Sequence, residues 1–90
     1  MPNPYSSLLD VVLEAISKAS SYNPGEEFTI PQLFDYKLPG GVTEWKQIQT
    51  DFHNKGSVIS RMFANRSGSL IQPLHSPRKK SHGCVVFTRK

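Results

Sequence analysis

The chain has 90 residues, enough for one domain spanning 1–90, and its seven prolines and six glycines imply short elements joined by tight connections. No apolar run approaches the roughly 20 residues of a membrane-spanning helix, and Cys84 is the only cysteine, which excludes an internal disulfide and suits a reducing, cytoplasmic setting. Charge is sharply divided: up to Asp51 the chain carries all seven acids and three cations, net −4, and after it eight cations and no acid, net +8. A one-sided basic field of this kind suits a polyanion, and nucleic acid is the commonest inside a cell.

Apolar side chains at Leu9, Val12, Leu13, Ile16 and Ala19 recur at three- and four-residue spacing, predicting an amphipathic helix over 6–20 capped by Ser6 or Ser7. Asn23-Pro24-Gly25 stops it. Residues 27–30 read as a short extended segment. Thr29 is the expected N-cap of a very short helix, with Pro31 near its first position and Leu33 and Phe34 turned inward. Leu38-Pro39-Gly40-Gly41 forms a turn, and Thr43 caps a further helical stretch with Trp45, Ile48, Gln49 and Phe52 along one face.

A helix over about 50–66 would align Phe52, Gly56, Ile59 and Phe63 on its inner face, with Met62 beside them. Its outer face would carry His53, Asn54, Ser57, Arg61 and Asn65. Glycine inside a helix costs roughly 1 kcal/mol relative to alanine, so Gly56 marks either a kink or a restart. Beyond Asn65-Arg66-Ser67-Gly68 the periodicity changes. Residues 70–74 and 84–88 read as two strands of a hairpin whose long tip, residues 75–83, is basic. Pro73 has no amide to donate and belongs at an edge.

The order helix, strand, short helix, longer helix, strand, basic loop, strand is that of an α+β winged helix-turn-helix, with three to four helices, a short strand and a C-terminal β-hairpin wing. In such a domain the last helix meets a groove of the nucleic acid and the wing carries cations to adjacent phosphates. The expected nucleic-acid-binding residues are His53, Asn54, Lys55, Ser57, Arg61, Asn65 and Arg66 from the helix, and Arg78, Lys79 and Lys80 from the wing tip. Tyr5, Tyr22 and Tyr36 are the aromatics freest to stack on bases, whereas Trp45 and Phe63 fit a core.

The segments GEEFTIPQLF and GSVISRMF, with Trp45 and Ile48 between them, resemble a small family of bacterial mobile-element and phage proteins. The matching positions are Gly25, Phe28, Thr29, Leu33, Phe34, Trp45, Ile59, Arg61 and Phe63, so the likeness covers about 25–63. Here the loop before Trp45 is longer, and Gly56-Ser57-Val58-Ile59 replaces the family's Leu-Gly-basic pattern. The resemblance implies a winged-helix fold, and for some members single-stranded DNA binding beside a replication helicase or polymerase. It points to single-stranded DNA as the leading ligand, in support of replication or recombination. A duplex-specific regulator using Asn54, Ser57, Arg61 and Asn65, or a protein-interaction module, are the alternatives. A monomer or weak dimer without cofactor is expected.

His75, His82 and Cys84 lie close in sequence, but their spacing matches no standard four-ligand zinc arrangement. KSHGCVVFT echoes an RNA-recognition submotif but lacks its stacking aromatics. No nucleophile sits in a recognisable catalytic motif, and an enzyme is not expected.

Overall fold

The computed structural model describes residues 5–74 and 79–90. Over these the chain is an α+β domain of four α-helices and two small antiparallel sheets. None of the described helices is long and apolar enough to cross a membrane.

Helix α1 (Leu8–Ala19) starts at Ser7, whose hydroxyl accepts from the Asp10 N–H at 3.3 Å, so Ser7 rather than Ser6 is the cap. Its inner stripe of Val11, Val12, Ala15 and Ala19 is buried, and α1 packs more extensively on α4 than on any other element. Strand β1 (Glu27–Phe28) leads through Thr29 into α2 (Ile30–Leu33), where Pro31 fills the first turn and the Thr29 N–H donates to Gln32 Oε1 at 2.8 Å.

Helix α3 (Glu44–Asp51) is capped by Thr43, whose hydroxyl accepts from the Lys46 N–H at 3.2 Å. A continuous helix over 50–66 does not form. After α3 the backbone turns through His53 and Asn54, both at positive φ (58° and 60°), and the Asn54 N–H donates to the Gln49 carbonyl at 2.8 Å. This closure ends α3 in the manner of a left-handed C-terminal cap, with His53 where glycine is more usual. Helix α4 (Gly56–Arg66) then begins at Gly56, so the glycine marks a restart and not a kink.

A 3₁₀ turn (Gly68–Leu70) follows, and Ile71 bridges Arg89. Strands β2 (Lys80–Ser81) and β3 (Cys84–Val85) form a tight hairpin, and β4 (Phe87–Thr88) pairs antiparallel with β1, Phe28 opposite Phe87. The strand expected over 70–74 does not form, since only Ile71 bridges there, and the hairpin instead pairs 80–81 with 84–85, so its tip differs from the expected 75–83. His82 and Gly83, at φ 52° and 79°, form its two-residue turn, while Lys79 and Lys80 lie in the incoming arm and Arg78 falls outside the described residues. Pro73 is exposed and belongs to no strand, so the edge position expected for it does not arise.

The core closes on three rings from three elements. Phe63 of α4 meets Phe28 edge-on at 6.0 Å and Phe87 at 4.9 Å, and Phe28 stacks on Phe87 at 5.9 Å. All three are essentially inaccessible, as are Ile59, Ile30 and Val12. Leu33 is buried with them, while Ile16 packs half-buried against the same cluster.

At the other end of the domain Glu44 is buried and accepts hydrogen bonds from the hydroxyls of Tyr5 and Tyr36. Burial, and then the Glu44 carboxylate, push the Tyr5 phenol up from its ordinary value; the hydrogen bond to Glu44 does the same for Tyr36. A phenol whose folded value is raised stabilises the fold in its neutral form. That contribution is complete below about pH 10 and is lost as the pH rises through the folded values. Thermal melts should therefore hold level up to about pH 10 on this account and fall above it, with phenolate absorbance lagging that of free tyrosine. Ordinary phenolate titration in the folded protein would contradict the arrangement.

Candidate nucleic-acid interface

Burial of Ile59 and Phe63 on one side of α4 leaves Ser57, Ser60, Arg61 and Ala64 on a side facing the hairpin. Between them lies a groove of about 530 Å³, lined also by Trp45 and Gln49 of α3, by Lys80 and Val85 of the hairpin, and by Phe87 of β4. Among the described residues no acid lines it, and the two cations that do approach from different elements, Arg61 from α4 and Lys80 from β2. Lys55 occupies the N-cap position of α4 without a side-chain hydrogen bond, so the positive end of the helix dipole adds to this field.

The close approach of α3 and α4 depends on Gly56. A β carbon there would lie 3.0 Å from Gln49 Nε2 and 3.3 Å from Trp45 Cζ2, tighter than ordinary contact. The indole is itself held from behind, stacked on Phe34 at 6.0 Å with 21° between the planes.

Lys79 and Lys80 have different surroundings, as successive strand residues point to opposite faces. Lys80 lines the groove, whereas Lys79 is paired with Glu27 of β1 at 2.8 and 3.0 Å. The Lys79–Glu27 pair is exposed, 67% and 49%, and contributes only about 0.2–1 kcal/mol. Its main effect is to occupy a cation that the sequence assigns to phosphate.

Of the residues expected at the interface, Ser57, Arg61 and Lys80 line the groove. His53 and Asn54 do not share the face of α4, because both belong to the left-handed turn before it. Asn65 and Arg66 are exposed on the last turn of α4, away from the groove lining, and Lys55 is exposed at its start. Arg78 lies outside the described residues, as does His75 of the set considered for zinc; among those described, no three His, Cys, Asp or Glu side chains gather as a metal-binding group. Of the tyrosines expected to be free, Tyr22 packs on Phe28 at 5.0 Å and Tyr5 meets Phe34 edge-on at 6.3 Å, while Tyr36 is half exposed.

Trp45, Gln49 and Ser60 are groove residues that the sequence does not by itself assign to the site. Their one signal is the four-residue spacing of Trp45 and Gln49, which places both on one face of α3.

No protein-family model, curated protein or solved structure matches the chain.

Proposed function

We propose that this chain is a winged-helix domain that binds single-stranded DNA in the groove between α4 and the C-terminal hairpin. The observation that carries the reading is the groove itself: among the described residues it is free of acid, cationic from two elements, and lined by apolar side chains such as Trp45, Val85 and Phe87. Unpaired bases have exposed apolar faces that such a lining can take up, while cations hold the phosphates. In a duplex those faces are already stacked, and only edges and backbone remain to be read.

The winged-helix assignment is supported by the element order and by the pairing of β1 with the returning strand of the hairpin region. The resemblance over 25–63 points the same way and suggests work beside a replication helicase or polymerase, for a phage or other mobile element, and the single cysteine suits the cytoplasm. For the duplex-regulator reading, Ser57, Arg61 and Asn65 are exposed along α4, whereas Asn54 lies in the turn before it.

Fluorescence anisotropy with matched single-stranded and duplex oligonucleotides, repeated over a range of salt, tests the proposal. The single strand should bind more tightly, with log affinity falling against log salt at roughly −0.7 per phosphate engaged. Preference for one duplex site over random duplex and single strands would establish the regulator instead. Absence of binding to every oligonucleotide would leave a protein partner as the reason for the basic half.

A further inference from the structure

We infer that the groove seats one unstacked nucleobase against Trp45, with the Gln49 carboxamide hydrogen-bonding the base edge. This deepens the single-strand proposal and rests on it.

At about 530 Å³ the groove has room for one base beside its walls and is too small to bury an extended strand. Its floor is preorganised, since the Phe34 stack fixes the attitude of the indole before anything binds. Gly56 opens the floor, because any larger residue would place a β carbon against both Trp45 and Gln49.

Gln49 supplies the polar contact. Gln32 accepts from the Thr29 N–H and Gln47 donates to Asp51, but among the described residues the Gln49 amide makes no hydrogen bond to protein. An amide presents a donor and an acceptor side by side, the pattern that matches adenine. Arg61 and Lys80 complete the arrangement by holding the phosphates of the same strand, with no acid among the described residues lining the groove to oppose them.

Trp45 is the only tryptophan, so its emission reports directly on the groove. The probes are an oligoadenylate of about twelve nucleotides and an abasic strand of equal length and charge, titrated against the unaltered protein. The oligoadenylate should quench Trp45 and bind about tenfold more tightly than the abasic strand, which should leave the emission unchanged. Gln49→Ala should retain the fold by circular dichroism and reduce any preference for oligoadenylate over oligothymidylate by about fivefold.

Equal binding of the two strands without quenching would overturn the base seat while leaving a phosphate-bound single strand intact. Binding of neither strand overturns both proposals. Quenching by an acidic, apolar peptide where neither strand acts would make the groove a protein-docking surface and also overturn both.

Discussion

Truncating Phe63 to alanine should cost about 3–5 kcal/mol, a large share of the roughly 5–15 kcal/mol typical of a whole domain. The ring is fully buried and touches the rings of both Phe28 and Phe87, so its loss opens a void where α4 meets β1 and β4. Little else can fill that void, because Phe28 and Phe87 are held opposite each other in the β1–β4 ladder. Chemical denaturation followed by circular dichroism should show a midpoint far below that of the parent, or no cooperative transition. An unchanged midpoint would mean that α4 does not present Phe63 to the sheet.

Replacing Arg61 and Lys80 together by alanine should weaken single-strand binding about a hundredfold or more, while Lys79→Ala should have little effect. A hydrogen bond to a charged group contributes about 1.5–3 kcal/mol net, and each 1.4 kcal/mol is about tenfold in affinity. Both groove cations are exposed, so their removal should leave the melting curve close to that of the parent. The slope of log affinity against log salt should become shallower by roughly 0.7 for each phosphate that the variant no longer engages. The contrast with Lys79 is the sharper measurement, since charge alone would make all three lysine and arginine positions equivalent. Equal losses from Lys79→Ala and Lys80→Ala would show that the domain acts as a diffuse cation and that the groove has no special part in binding.

Much of this arrangement was legible in the linear order of residues. The periodicity from Leu9 to Ala19 identified α1 but not its inner face, since Leu9 and Leu13 are exposed and Val11 and Ala15 are buried in their place; Thr43 identified the start of α3, and Ile59 and Phe63 the buried side of α4. These are local signals, carried by helical spacing and by side chains able to cap.

Four features were not fully legible, each for a physical reason. Gly56 left open a kink or a restart, and the restart is decided by positive φ at His53 and Asn54, residues that do not advertise a left-handed turn. The hairpin register is set by the two-residue turn at His82-Gly83, whereas the run of cations before it suggests a longer tip. The role of Trp45 and Gln49 arises from the approach of two helices at Gly56, a tertiary contact that spacing within either helix does not reveal. The division of labour between Lys79 and Lys80 likewise depends on Glu27, about fifty residues earlier in the chain.

The pairing of β1 with β4 has a consequence for how the domain is made. Glu27 and Phe28 find their partners in Thr88 and Phe87, some sixty residues later. At translation rates of about 5–20 residues per second, the first strand waits about 3–12 s for the segment that covers it. Throughout that interval Phe28 lacks Phe87 against its ring, and the backbone of Glu27 and Phe28 lacks its β4 partner. The nascent chain is then most exposed to capture by chaperones or by another unpaired strand. A solvent-facing pair of acids, Glu26-Glu27, stands immediately before that aromatic, the kind of charge that repels a neighbouring copy from an unpaired strand.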